Sequence, residues 1–263
     1  MINLNPEYAA KAIARYLAES KGKNHRYRSW EHCYLAFAKA RRDLLERRTV
    51  DYDLLALHLS NYLASWGMFR NSFLQDRDYR TQLEIVNILF DDRSNDLLLS
   101  FPSDQDDEAL NIETLQKHWN AIKVIWDAFS RAYGVGSITD TLVSKVLLGT
   151  FGSVPATDRY YKTGVKSFEG TQYFGSNSYS EIVRYYWSKW DEISSHLAGT
   201  TLATLDDPST PYPPMKLMDM CFWQIGYSIE LYDKNRGENL IFSALAENEK
   251  YVVLQSLLGM PAN

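Results

Sequence analysis

From Pro6 onward the apolar residues of this chain recur at helical spacing, and no run of strict alternation calls for a sheet. That pattern excludes sandwiches, barrels and parallel-sheet enzymes, and it predicts an all-α protein of about ten helices. Asn5, Pro6 and Glu7 read as cap, first-turn proline and dipole partner of a helix that runs to about Ser20. A second helix, Ser29 to Arg48, carries Trp30, Cys33, Tyr34, Phe37, Leu44 and Leu45 on one side and most of its arginines on the other. Further helices are expected from Asp51 to about Phe73, Arg77 to Phe90, an Asn111 cap to a Gly134 stop, Ile138 to Thr150, and Asp158 to Phe168. Three more follow, Ser180 to His196, Met215 to Tyr232 and Gly237 to Gly259.

At 263 residues and 45% hydrophobic, the chain can bury a large core in one domain or in two lobes sharing a cleft. The Asp-, Ser- and Pro-rich stretch from Asp91 to Asp107 reads as a surface loop and as the lobe boundary, giving lobes of 1–100 and 108–263. A second loop, Gly170 to Ser178, is expected to be mobile. No stretch approaches the roughly 20 apolar residues of a membrane span, and no leader pattern opens the chain, so a cytoplasmic protein with no membrane partner is expected.

Charge is segregated. Residues 1–50 hold eleven Lys/Arg against five Asp/Glu, a local +6, which leaves −11 for the remainder of a chain whose net charge is −5. Such a basic face can meet phosphates on an acidic protein, because screening confines charge effects to about 10 Å at ordinary salt; the alternative is a solvated helix face. Cys33 and Cys221 fall within amphipathic helices, as small buried hydrophobes do. The five histidines form no His-x-x-x-His or His-Glu-x-x-His pair, so no metal site is expected. Phosphate-loop, nucleophile-elbow and dinucleotide fingerprints are missing as well, and no cofactor is expected.

The segment YGVGSITDTLVSKVLLGTFGSVPATDRYYKTGVK, Tyr133 to Lys166, is where chemistry is most legible. Gly134 and Gly136 flank a tight turn that leads into a helix N-terminus, a ready anion site for a backbone phosphate. A Gly152/Pro155 loop then delivers one carboxylate, Asp158, to the start of another helix, where it also suits the amides of Tyr160 and Tyr161 as a cap. This order, over about 34 residues, resembles the helix-hairpin-helix DNA glycosylases. The resemblance implies a hairpin that grips DNA through Gly134, Gly136, Ser137 and Thr139, and a catalytic aspartate at Asp158. Lys145 and Lys162 are further DNA-binding candidates.

The position two residues after the second glycine is Ile138, where bifunctional relatives place a lysine, so the resemblance implies a monofunctional enzyme without Schiff-base chemistry. The two cysteines also cannot supply a four-thiolate iron–sulfur cluster. Excising a base requires flipping it into a pocket of stacking and edge contacts, so aromatic side chains beside turns matter. Trp66 and Arg70 in the WGMFRN cluster, Tyr160, Tyr161 and Gln224 are the substrate-binding candidates. Asp219 and Gln224 interrupt an apolar helix, and polar residues in such places ordinarily face water.

The expected activity is hydrolytic release of a modified base from DNA, in repair or in defence against phages with modified DNA. The competing classes are a non-enzymatic helical interaction module, with its tryptophans all in the core, and an all-α hydrolase of a free nucleoside or sugar.

Overall fold

The computed structural model describes residues 1–22, 25–97, 112–236 and 241–259. Among the described residues there are ten α-helices and no strand, the fold class expected. They are α1 (Pro6–Ser20), α2 (Arg28–Leu45), α3 (Tyr52–Ser65), α4 (Leu83–Leu89), α5 (Ile112–Ala132), α6 (Asp140–Thr150), α7 (Arg159–Lys166), α8 (Ser176–His196), α9 (Pro214–Arg236) and α10 (Glu247–Gly259). The chain forms two compact units drawn from interleaved segments. One comprises Met1–Gly22, Pro155–Leu202 and Pro214–Asn263, the other Lys23–Val154 and Ala203–Pro213.

In the first unit α1, α7, α8 and α10 all pack on α9. Every residue of α9 from Met215 to Gly226 is buried, so it is the central core helix. Two glycines let α7 lie directly against it. A Cβ on Gly164 would stand 2.1 Å from the Phe222 carbonyl oxygen, and one on Gly226 would stand 1.9 Å from that of Tyr160. The predicted opening of α1 is present, with the Asn5 side chain accepting from the Glu7 amide at 2.9 Å. α8 begins four residues earlier than the sequence suggests, at Ser176, and α9 runs on to Arg236. The expected start of the last helix at Gly237 and Glu238 lies outside the described residues.

In the second unit α2 packs on α3 and α6, and α3 on α4. Side chains of α2 reach the end of α6. The Trp30 indole donates to the Leu148 carbonyl at 2.9 Å, and Arg41 donates to that of Thr150 at 2.8 Å while its guanidinium lies 4.7 Å over the Phe151 ring. A cation at a helix C-terminus meets the negative end of the dipole. Burial nevertheless pushes the Arg41 guanidinium down to about 10. Buried Glu31 accepts from the Leu205 amide at 3.0 Å and from the Tyr212 hydroxyl, which ties segment 203–213 to α2.

Gly152 ends α6 at φ +65°, and a Cβ there would stand 2.3 Å from the Pro213 ring. Gly152→Ala is therefore expected to cost roughly 2 kcal/mol, from left-handed strain and crowding together. A lowered urea midpoint by tryptophan fluorescence, with unchanged slope, checks this.

Several boundaries differ from the sequence reading. The third helix stops at Ser65, not Phe73, because Gly67 at φ +74° closes it with two bonds, Gly67 amide to Ala64 carbonyl and Met68 amide to Leu63 carbonyl, each 2.9 Å. Gly134 ends α5 in the same way at φ +65°, as expected; the expected Asn111 cap lies outside the described residues. The helix expected from Arg77 begins instead as a 3₁₀ turn, Tyr79–Gln82, leading into α4. Within the expected surface loop, Asp92–Leu97 is also a 3₁₀ turn, and residues 98–111 lie outside the described part. Leu44 and Leu45 were expected on the apolar side of α2, yet they are exposed, Leu45 at 85%, since the buried stripe of that helix ends near its final turn.

Candidate active site

Asp158 is the N-cap residue of α7, in extended backbone, and its Oδ1 accepts from the Tyr160 amide at 3.1 Å and the Tyr161 amide at 3.2 Å. Residues 153–157 ahead of it are buried, while Asp158 itself is partly exposed. The loop is held from below. The Ala156 amide donates to Asp219 Oδ1 at 3.0 Å, Lys216 Nζ lies 2.8 Å from Asp219 Oδ2, and Lys216 also donates to the Tyr16 hydroxyl at 3.3 Å. Lys216 and Asp219 are 3% and 7% exposed at their side chains, so this ion pair sits in the core of the first unit.

Tyr160, whose amide the carboxylate caps, belongs to an aromatic panel. Tyr160 meets Trp223 edge-on at 5.1 Å and Tyr227 at 5.4 Å, and Trp223 stacks on Tyr227 at 5.3 Å and 16°. Tyr160 and Tyr227 are partly exposed, and Trp223 is buried. Arg159 lies 4.7 Å over the Tyr160 ring, donates to its hydroxyl at 2.9 Å, and pairs with Glu230 at 3.3 Å. That hydrogen bond, with the neighbouring acidic groups, holds the Arg159 guanidinium above its ordinary value.

The other binding candidates of this unit are placed differently. Tyr161 is buried edge-on to Phe222 at 6.0 Å, and burial first, then the charge of Asp219, pushes its phenol well up. Gln224 is 2% exposed, with no hydrogen-bond partner on its buried Oε1. Asp219 and Gln224 are both in the core, where polar interruptions of an apolar helix ordinarily face water, and the substrate-binding candidate Gln224 is buried. Lys162, on α7, is partly exposed.

In the second unit the glycine turn between α5 and α6 is anchored from the segment after α3. Arg77 donates to the Tyr133 carbonyl at 2.8 Å, the Phe73 ring meets Tyr133 edge-on at 5.1 Å, and the Tyr133 hydroxyl donates to Gln82 at 2.7 Å. Gly134, Gly136, Ser137, Thr139 and Arg70 are exposed. Two first-turn amides of α6 are already engaged. Thr139 Oγ1 accepts from Leu142 at 3.2 Å, and Asp140 Oδ1 accepts from Thr141 at 2.8 Å, which places a carboxylate at the terminus expected to meet a phosphate.

Trp66 stacks on Tyr27 at 5.5 Å and 14°, with Arg26 5.3 Å and Lys145 Nζ 4.8 Å from its ring. Lys145 is only 3% exposed, with its ammonium over the Trp66 ring.

The sequence reading missed Lys216 and Tyr227, and it placed Asp219 in solvent. The available signal was two opposite charges three residues apart in the otherwise apolar run MKLMDMCFW, a spacing that puts them on one helix face. It also missed that His32 and His58 line one groove of about 490 Å³ with Asp206, His32 Nδ1 lying 3.0 Å from Asp206 Oδ2. Burial, then the charge of His32, pushes the His58 imidazole down. Among the described residues no three His, Cys, Asp or Glu side chains are grouped to hold a metal ion. Cys33 and Cys221 are buried and unlinked, and burial pushes both thiols up. No helix among the described residues is long and apolar enough to cross a membrane. Comparison of the chain with protein-family models, with curated proteins and with solved structures returns no match.

Proposed function

We propose that this protein removes a modified base from DNA by hydrolysing its N-glycosidic bond, with Asp158 as the catalytic carboxylate. Water adds to the anomeric carbon as the carbon–nitrogen bond breaks. The base leaves with the proton that water gives up, and an abasic sugar remains. Positive charge grows on the sugar in that step, and a fixed carboxylate stabilises it through its field. The observation that carries the reading is the placement of Asp158, partly exposed, oriented by two amides, and next in sequence but one to a ring of the Tyr160, Trp223 and Tyr227 panel. Partly exposed aromatic surface of that kind suits an extruded base. On the second unit the proposed DNA contacts narrow to the exposed Gly134, Gly136 and Ser137. Repair or phage defence in the cytoplasm is the setting of this reading.

The test is incubation with unmodified, alkylated and hypermodified phage DNA followed by an assay for abasic sites. At least one modified DNA is expected to yield them, and Asp158→Asn is expected to lower the rate by more than about 100-fold. Asparagine caps a helix about as well as aspartate, so the variant keeps its fold. Base release retained in Asp158→Asn, or no release from any DNA, overturns the assignment. A second reading, a non-enzymatic interaction module, is favoured by the burial of Tyr161, Gln224 and Lys145, which fill the interior as they would in a cleftless helical bundle. It predicts binding with no abasic product.

A further inference from the structure

We propose that Asp219 is a positioning residue for Asp158, an inference that rests on the reading of Asp158 as the working carboxylate. A buried ion pair is a poor device for stability alone, because desolvating two charges offsets most of their attraction. Here the pair has a second consequence. One oxygen of Asp219 takes the Lys216 ammonium at 2.8 Å, and the other takes the Ala156 amide at 3.0 Å, two residues ahead of Asp158. Ala156 in turn accepts from the Asp158 amide at 2.8 Å. A continuous run of hydrogen bonds therefore leads from the core of α9 to the backbone of the catalytic candidate.

Lys216 is itself placed by Tyr16 of α1, whose hydroxyl it reaches at 3.3 Å and whose ring it overlies at 4.9 Å. Tyr16 also meets Trp223 edge-on at 5.9 Å, so the same support reaches the aromatic panel. The Asp219 side chain is only 7% exposed, so it is not placed to touch substrate directly. It acts through the loop 155–158, whose set position fixes the Asp158 side chain relative to Tyr160.

The experiment compares two double variants that remove the same two charges and differ in one hydrogen-bond acceptor. Lys216→Met with Asp219→Asn keeps an oxygen for the Ala156 amide; Lys216→Met with Asp219→Leu does not. Replacing a buried pair by apolar side chains is commonly neutral for stability, so both are expected to fold. Exchange of the Ala156, Tyr160 and Tyr161 amides, followed by NMR, is expected at the parent rate in the Asn variant and about tenfold faster in the Leu variant. Base release is expected to fall in the Leu variant through kcat, with KM little changed.

Equal amide protection in the two variants overturns the positioning role, whatever the activity. If the Leu variant does not fold, Lys216→Met with Asp219→Ala, which also leaves the Ala156 amide without its acceptor, takes its place: faster exchange than in the Asn variant supports the role, and equal exchange overturns it. Absence of base release in every protein, the parent included, refutes the proposed function and leaves the exchange result intact.

Discussion

Gly226→Ala is expected to lower the melting temperature by on the order of 10 °C. The new methyl would stand 1.9 Å from the Tyr160 carbonyl oxygen and 2.9 Å from the Gly164 amide nitrogen. Both neighbours are backbone atoms of a packed helix, so no side-chain rotation relieves the overlap and α7 must move away from α9. Overpacking of a close-packed core costs roughly 1–3 kcal/mol and more where the backbone itself is struck, so about 3 kcal/mol or more is expected. At roughly 2–4 °C per kcal/mol for a chain of this size, that gives the stated fall, readable by calorimetry. Displacing α7 also shifts Tyr160 and the cap Asp158, so base release is expected to fall even below the melting transition. A melting temperature within about 2 °C of the parent would refute the close crossing.

Asp219→Ala is expected to cost about 3–5 kcal/mol, the range for removing one partner of a buried ion pair. The Lys216 ammonium is left 3% exposed without its counter-ion, and the Ala156 amide loses its acceptor. The loss is read by urea unfolding at pH 7, as a lowered midpoint with unchanged slope. A deficit under about 1 kcal/mol would mean that the pair and its bond to the Ala156 amide do not hold this part of the core.

What the sequence made legible was local. The Asn5 cap, the Gly134 stop and the capping of the Tyr160 and Tyr161 amides by Asp158 depend on residues within four positions of one another, and each is present. Where local signals conflicted, the stronger backbone signal won. Met68, Phe69 and Phe73 continue the apolar spacing of the third helix, but a glycine in the left-handed region ends it at Ser65.

What stayed hidden was long-range. Lys145 reads as a surface cation until Trp66, far away in sequence, is seen beneath its ammonium. Asp219 reads as a solvent-facing break in an apolar helix until its acceptor role for Ala156 appears, 63 residues away. The occupied amides at the start of α6 were within reach of the sequence, since Asp140 stands directly after Thr139, where it can take the place a phosphate would need.

The interleaving of the two units has a consequence for how the protein is made. Tyr16 of α1 meets Lys216 of α9 across 200 residues of chain. At roughly 5–20 residues per second on the ribosome, α1 emerges about 10–40 s before its principal partner helix exists. Through that interval the apolar face formed by Ala9, Ile13, Tyr16 and Leu17, buried in the finished protein, has no α9 to cover it. The second unit, apart from its segment 203–213, is complete on the ribosome by Val154, well before α9 is translated. The nascent chain thus carries one nearly finished unit and one helix still waiting for its partner.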